Sequence, residues 1–210
     1  MSEQASVETK KSPTPWLYYV GKFFVRVFVY LRFGLHIKGL ENVPREGGVL
    51  VVSNHRTGFD PPVVGLAFPR VMSYMAKKEL FEHWFFGWLF RQLQAFPVDR
   101  SGNASSAVKE SIRRLRGGAA LLIFAEGTRN QGEAKALDGA AFIAQRANVP
   151  LLPTAVYQRG RRFYVHFGTP ILPEGSSRDE TRRLTEKVME DVRFLLPLDY
   201  RLAKSLPKVS

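Results

Sequence analysis

Short β-branched runs alternate with helix-length segments along most of this chain, and this alternation restricts its fold more than any other feature. Runs typical of buried strands occupy residues 49–52, 71–76, 95–98, 120–125, 151–156 and 163–167, and helical segments occupy 61–68, 81–93, 105–116, 138–147 and 178–195. Strands that alternate with helices form mostly parallel sheets. We therefore predict an α/β fold, in which helices cover both faces of a mostly parallel central sheet.

Residues 16–35 differ from the rest because they are dense in aromatic and aliphatic side chains. Their charged residues, Lys22, Arg26 and Arg32, share one arc of about 120° on a helical projection. Three cations make a poor membrane span, whereas a basic-faced helix that lies in the membrane interface suits the pattern. A helix packed on the protein's own core is the alternative. The predicted organisation is a disordered polar tail at 1–15, an amphipathic membrane-associating helix at 16–35 and one domain at 36–210.

The chain is strongly basic, with 31 Lys and Arg against 19 Asp and Glu and a formal charge of +12. The excess is +3, +5 and +4 over residues 1–60, 61–155 and 156–210, so it is not confined to a tail. Such a charge predicts an anionic partner: a membrane surface, a phosphorylated substrate or nucleic acid. No zinc-finger, RNP or basic-zipper pattern is present, so we expect no nucleic-acid partner. The absence of cysteine excludes disulfides, thiol catalysis and cysteine–metal sites.

His55 and Asp60 follow the first predicted strand. Ligands of open α/β sheets bind beyond the carboxyl ends of strands, so this is a productive location for His55. A histidine that is oriented by a carboxylate acts as a general base, because the carboxylate selects the tautomer and stabilises the imidazolium ion. Asp60 also precedes two prolines, which is the pattern of a helix N-cap. From the residues alone, both interpretations stand.

Two further segments follow predicted strands and contain arginines suited to an anion. In the first, Gly127 permits a tight turn, Arg129 can hold a phosphate in a bidentate manner, and Glu126 can orient that arginine. In the second, Arg100 is another candidate for an anion clamp. An ordinary strand-to-loop turn with a surface ion pair also accounts for either segment.

Together, these segments resemble sequence blocks of the glycerolipid acyltransferase family, most closely of its 1-acylglycerol-3-phosphate acyltransferases, over roughly residues 36–170. The matching positions are Asn54, His55 and Asp60 of N-H-x-x-x-x-D, Lys77 of K-x-E-L, the pair Asp99 and Arg100, residues 126–129 of E-G-T-R, and Val149, Pro150 and Pro153 of V-P-x-x-P. The chain departs from the family pattern at Ala125, where proline is usual, and at residues 136–139, which lack a family lysine. The missing lysine removes a possible phosphate contact, so the identity of the acyl acceptor stays open.

The resemblance implies an enzyme that moves a fatty acyl group from acyl-CoA or acyl-carrier protein to the free hydroxyl of 1-acylglycerol 3-phosphate, giving phosphatidic acid. It implies a general-base dyad of His55 and Asp60, with no covalent intermediate, metal or cofactor. Arg129, with Arg100 and Lys77 as lesser candidates, would hold the acceptor phosphate, and Glu126 and Gly127 would shape its glycerol site. Thr128 is also expected to bind substrate. The expected partners are the acyl donor, a lysophospholipid acceptor and an anionic membrane surface. The expected location is the cytoplasmic face of the cell membrane, as a peripheral or monotopic protein.

Two alternatives to this function stay open. The acceptor can be another lysophospholipid or lipid, or the chain can be a non-catalytic lipid-binding protein. The joint presence of His55, Asp60, Glu126 and Arg129 favours catalysis, because a binding protein needs no such set. The aromatic run at residues 84–90 is predicted to line the acyl site or touch lipid, with plain helix packing as its alternative.

Overall fold

A seven-stranded sheet crosses the part of the molecule that the computed structural model describes, residues 16–98, 104–124 and 133–202. The strands are β1 (Leu35–Lys38), β2 (Val49–Ser53), β3 (Met72–Lys77), β4 (Ala95–Val98), β5 (Ala120–Phe124), β6 (Leu151–Arg159) and β7 (Arg162–Phe167). They lie in the order β1-β7-β6-β2-β5-β3-β4. Neighbouring strands are parallel except β6 and β7, which form an antiparallel hairpin. The prediction of a mostly parallel sheet is confirmed.

Helices cover both faces of this sheet, as predicted. They are α1 (Trp16–Arg32), α2 (Asp60–Ala67), α3 (Trp84–Gln92), α4 (Ala104–Arg116), α5 (Glu133–Ala147), α6 (Arg178–Leu195) and α7 (Leu198–Leu202), with 3-10 turns at Leu40–Asn42 and Lys78–Phe81. In the central strand β2, Val49 and Val51 join a core cluster with α1 and α2, whereas Leu50 and Val52 join a second cluster with α4, α5 and α6. Successive side chains of a strand point to opposite faces, so a strand covered on both faces is apolar throughout.

The N-terminal helix is shorter than predicted. α1 ends at Arg32 rather than at residue 35, because the chain joins the sheet at Leu35. The Phe163 N–H donates a 2.7 Å hydrogen bond to the carbonyl of Gly34, and β1 then pairs in parallel with β7. Pairing with a distant strand therefore overrides the helical pattern at this end. The tail predicted at residues 1–15 lies outside the described residues.

One side of α1 packs on α2. Val29 is buried there, and Val25 packs against the same core cluster. Tyr18 is also buried, and its hydroxyl accepts a 3.1 Å hydrogen bond from the backbone N–H of Met72. Lys22 lies on this side too: its Nζ donates a 2.6 Å hydrogen bond to the carbonyl of Phe68, just after α2, and burial lowers the pKa of Lys22 to about 8. The prediction that Lys22 belongs to a basic face directed at the membrane interface is therefore wrong, because its ammonium group is hydrogen-bonded to the carbonyl at the end of α2.

The opposite side of α1 exposes large apolar side chains: Trp16, Tyr19, Phe23, Phe24, Phe28, Tyr30 and Leu31. α3 likewise exposes Trp84, Phe85, Phe86 and Trp88, so most of the aromatic run at 84–90 lies at the surface. The two helices are neighbours, since a Cβ on Gly21 would lie 2.9 Å from the side chain of Leu93, just after α3. Within the described ranges, no helix is both long enough and apolar enough to cross a membrane.

Candidate active site

The carboxyl ends of β2, β5, β3 and β4 meet at one edge of the sheet. Ser53 at the end of β2 lies opposite Phe124 at the end of β5, and Lys77 at the end of β3 lies opposite Val98 at the end of β4. His55 follows β2 directly. The topology therefore gathers the strands that lead into the sequence motifs at a single edge, where ligands of open α/β sheets bind.

His55 and Asp60 are in contact at this edge. His55 Nδ1 lies 3.2 Å from Asp60 Oδ2, and the histidine side chain is 37% exposed while that of the aspartate is 4% exposed. The Nδ1–H direction is not aligned with the oxygen, so this buried nitrogen has no hydrogen-bond partner within the described residues. Hydrogen bonds between catalytic groups are often poorly aligned without substrate and tighten in the complex. The pair thus lies one small rotation from an oriented histidine.

Asp60 is held by the loop that precedes it. Its Oδ2 accepts hydrogen bonds from the backbone N–H of Arg56 at 2.6 Å and of Thr57 at 2.8 Å, and its Oδ1 accepts one from the Thr57 hydroxyl at 2.9 Å. Asp60 is the first residue of α2, where the helix dipole favours a carboxylate. Phe59 occupies the N-cap position and no side chain caps the helix. The N-cap interpretation of Asp60 is therefore wrong, and its carboxylate is left to organise the loop and face His55.

The imidazole of His55 packs against a neighbouring strand. Its ring centroid lies 4.4 Å from that of Phe124, the last residue of β5. The pairing of β5 with β2 therefore sets the position of the histidine ring. Because Nδ1 faces Asp60, Nε2 is the ring nitrogen that remains to meet a substrate.

Asn54 anchors the start of the same loop. Its side chain is buried and exchanges two hydrogen bonds with Val156 of β6, one from Nδ2 to the carbonyl at 2.7 Å and one from the backbone N–H to Oδ1 at 2.8 Å. The motif match included Asn54 without a role. The structure makes it the residue that fastens the loop to β6.

A cavity of about 310 Å³ lies beside Asp60. It is lined by Arg56, Thr57, Asp60, Val156, Tyr157, Gln158, Phe163 and Tyr200. Sequence reasoning missed Arg56 and Tyr200. The signal for Arg56 is its place between His55 and Asp60, whereas nothing in the sequence connects Tyr200 with this loop.

Lys77 is exposed at the end of β3. Since β5 separates β3 from β2, the ends of these two strands are about 10 Å apart at the usual strand spacing. Lys77 therefore lies at the margin of the site. The other predicted substrate-binding residues fall outside the described residues: Arg100, Glu126, Gly127, Thr128 and Arg129. Among the residues that the structure does describe, no group of three or more His, Asp or Glu side chains is placed to hold a metal ion.

The profile of the Acyltransferase family matches residues 34–157, which is more than half of the chain. The matched part begins just before β1, ends within β6 and contains both His55 and Asp60. This chain belongs to the acyltransferase family. The resemblance predicted from the sequence motifs is therefore confirmed.

Two bacterial relatives of this chain carry the same name. The acyltransferase is 35% identical over 132 residues to the 1-acyl-sn-glycerol-3-phosphate acyltransferase of Bacillus subtilis, covering 62% of this chain and 66% of that one. It is 34% identical over 147 residues to the enzyme of the same name from Streptococcus pneumoniae, covering 65% of this chain and 55% of that one. The chain thus spans less than two thirds of the length of these relatives.

The acyltransferase is also similar to a solved structure. The crystal structure of the 1-acyl-sn-glycerophosphate (LPA) acyltransferase PlsC from Thermotoga maritima matches it with a TM-score of 0.67 and 27% sequence identity. That match covers 91% of this chain and 81% of the other, so it includes most of the elements outside the family profile. Among those elements, α7 of the acyltransferase supplies Tyr200 to the cavity beside Asp60.

Proposed function

We propose that this chain transfers a fatty acyl group from acyl-CoA or acyl-carrier protein to the free hydroxyl of 1-acylglycerol 3-phosphate, giving phosphatidic acid. The observation that carries the proposal is the contact between His55 and Asp60 at the carboxyl edge of the sheet. Family membership supports an acyl transfer, and similarity to 1-acyl-sn-glycerol-3-phosphate acyltransferases supports this acceptor.

The proposed chemistry needs one general base. Nε2 of His55 removes the proton of the acceptor hydroxyl while its oxygen attacks the thioester carbonyl carbon. The tetrahedral intermediate then collapses, its C–S bond breaks, and the leaving thiolate takes the proton from the imidazolium ion. Asp60 holds Nδ1 and stabilises the positive charge on the ring in between. General-base catalysis of this kind contributes about 10²- to 10⁴-fold in rate.

Substrate binding is assigned by the motif match. We propose that Arg129 and Arg100 bind the acceptor phosphate and that Lys77 at the margin of the site assists them. Glu126 and Gly127 shape the glycerol site, and Thr128 is a further substrate-binding residue. A guanidinium group binds a phosphate in a bidentate manner, which suits the headgroup of a lysophospholipid. The position of Lys77 on the shared edge is consistent with this assignment.

We also propose that the protein works as a peripheral protein on the cytoplasmic face of the cell membrane. The acceptor and the product are lipids, and the exposed aromatic side chains of α1 and α3 lie on neighbouring helices. Aromatic side chains with nearby cations are typical of helices that lie in the membrane interface. Arg26 and Arg32 are exposed on α1 and would contact anionic head groups.

Release of free thiol from acyl-CoA tests the proposed activity. The chain has no cysteine, so every thiol detected comes from the donor. We expect release with 1-acylglycerol 3-phosphate, and the loss of release in His55→Ala. His36→Ala is the matched control, because His36 is an exposed histidine on the edge strand β1, three strands away from β2.

Three outcomes would contradict the proposal in different ways. Full activity of His55→Ala would contradict general-base catalysis by His55. Faster thiol release with another lysophospholipid would show that this other lipid, and not 1-acylglycerol 3-phosphate, is the preferred acceptor. Binding to anionic vesicles without thiol release from any acceptor would make the chain a lipid-binding protein.

A further inference from the structure

The short helix α7 is attached to the end of β6 by three contacts. Arg159 pairs with Asp199 at 2.8 Å, the Tyr200 hydroxyl donates a hydrogen bond to the carbonyl of Gln158, and the rings of Tyr157 and Tyr200 lie 5.3 Å apart. A five-residue helix is not stable alone, so these contacts determine its position. α7 therefore depends on β6, the strand that also holds Asn54.

Tyr200 in turn holds the side chain of Arg56. The guanidinium carbon of Arg56 lies 4.6 Å from the centroid of the Tyr200 ring, which is the geometry of a cation–π contact. The ion pairs found within the described residues do not include Arg56. Among those residues, the ring of Tyr200 is thus the principal restraint on this side chain.

The backbone of Arg56 reaches the candidate dyad directly. Its N–H donates a 2.6 Å hydrogen bond to Asp60 Oδ2, the same oxygen that lies 3.2 Å from His55 Nδ1. A rotation of the Arg56 peptide therefore moves the oxygen that His55 faces. The side chain and the backbone of one residue connect Tyr200 with Asp60.

The packing beneath this connection is open. The cavity of about 310 Å³ is lined by Arg56, Asp60 and Tyr200, so close packing does not hold the loop on this side. On this side the ring of Tyr200 adds a directional contact to the hydrogen bonds that hold the loop through Asp60 and Asn54. Only the ring of Tyr200 supplies such a contact to the Arg56 side chain within the described residues.

We propose that Tyr200 is a positioning residue, which acts through Arg56 to hold Asp60 in the orientation that His55 requires. The inference rests on the proposed acyl transfer, and it adds to that reaction a residue from outside the family match. It assigns the C-terminal helix α7 a role as a strap over the catalytic loop. We expect substitution of Tyr200 or Arg56 to change kcat rather than KM, because neither residue is assigned to either substrate.

Steady-state kinetics of four variants test this inference. Tyr200→Ala and Arg56→Ala should each lower kcat about tenfold with little change in KM, as expected for the loss of a cation–π contact that sets catalytic geometry. Tyr200→Phe keeps the ring and should retain most of the wild-type kcat. The double variant Tyr200→Ala/Arg56→Ala should be no slower than either single variant, because both act on one connection.

Tyr164→Ala is the matched control. Tyr164 stacks on Tyr157 with ring centroids 5.0 Å apart, and Tyr200 also contacts Tyr157, at 5.3 Å. Among the described residues, the cation–π contact of Arg56 is with Tyr200 and not with Tyr164. An equal loss of kcat in this control would mean that any damage near Tyr157 slows the enzyme, and would overturn the proposal. Additive losses in the double variant, or an unchanged kcat in Tyr200→Ala, would also overturn it.

The ¹⁵N resonances of His55 separate this inference from the proposed function. Wild-type protein labelled at histidine should show the Nδ1–H tautomer for His55, and Tyr200→Ala should shift the population away from it while Tyr200→Phe does not. A wild-type protein without acyl transfer but with this spectral difference would disprove the proposed function alone. Identical His55 spectra in folded wild-type and Tyr200→Ala protein would disprove the positioning role alone.

Discussion

Asn54 and Val156 exchange two hydrogen bonds in the core, at 2.7 and 2.8 Å, and so join the loop that carries His55 to β6. Both residues are buried. The bonded groups of Val156 are its own backbone carbonyl and N–H, and both lose this partner if the asparagine is replaced. The contact therefore stabilises the fold and also positions His55, the next residue in the chain.

Replacing Asn54 by alanine should destabilise the protein strongly. Two buried backbone groups would lose their partners, at a cost of about 2–4 kcal/mol in the free energy of unfolding. Denaturant titration measures this loss. Asn42→Ala is the control, because Asn42 makes a single 3.2 Å bond to Phe167 from a partly buried position. We expect a loss of about 1 kcal/mol there, and equal losses would contradict the argument.

Replacing Asp60 by asparagine should separate the two tasks of this residue. The amide oxygen can still accept the backbone N–H groups of Arg56 and Thr57, so the fold should persist. The negative charge beside His55 Nδ1 is lost, and kcat for acyl transfer should fall about 10²-fold or more.

Thr57→Val provides the control for Asp60, since it removes only the hydroxyl bond to Oδ1. Its kcat should fall by less than about tenfold. If Asp60→Asn kept wild-type kcat in the thiol-release assay, the charge of Asp60 would have no part in catalysis.

Lys22 should make the stability of the protein depend on alkaline pH. Its pKa is about 8 in the folded protein against 10.5 in the unfolded chain, because burial disfavours the charged form. Between these values the unfolded chain binds the extra proton, so the free energy of unfolding should rise with pH. Lys22→Met lacks this rise, and the difference between wild type and variant should grow from about pH 8 upward.

Lys78→Met serves as the control for the pH experiment, because Lys78 is exposed. Its stability should follow that of the wild type across the same range. A constant difference between wild type and Lys22→Met from about pH 7 to about pH 10 would show that Lys22 keeps an ordinary pKa in the fold.

Arg26 and Arg32 should contribute to membrane binding through charge. Each basic residue near an anionic surface contributes about 1 kcal/mol, so Arg26→Gln/Arg32→Gln should bind anionic vesicles about 30-fold more weakly at low salt. Vesicle sedimentation measures the effect, and added salt should reduce the difference.

A double variant on α6 tests whether position matters beyond net charge. Arg182→Gln/Arg183→Gln removes the same charge from a helix that packs on the other face of the sheet from α1. It should leave vesicle binding within about twofold of wild type. Equal weakening by the two double variants would mean that α1 is not the surface that meets the membrane.

The strands at the centre of the sheet were predictable because they are buried on both faces. β2 and β5 are continuous apolar runs, and the predicted segments 49–52 and 120–125 match them within one residue at each end. β1 was missed, since its four residues alternate in exposure and follow an apolar helix without a break in composition. Its pairing with β7 is a long-range interaction that no local pattern reveals.

The contact of His55 with Asp60 was one of two interpretations that the sequence allowed, because a spacing of five residues lets one turn bring them together. The fastening of Asn54 to Val156 and the packing of His55 on Phe124 were not predictable, since each joins distant parts of the chain. The contact of Tyr200 with Arg56 was not predictable either, because it also joins distant parts of the chain. Whether Arg100, Glu126, Gly127, Thr128 and Arg129 bind the substrate stays a prediction.

Local sequence was thus sufficient for the α/β class, the family and the candidate dyad, because burial on both faces, motif spacing and short turns are all recorded over a few residues. Long-range packing was required for the direction of Lys22, for the N-terminal strand and for the position of α7 beside β6. Each of these depends on a partner far along the chain, such as the Phe68 carbonyl that Lys22 meets. These three features are stabilised by contacts that exist only once the sheet has formed.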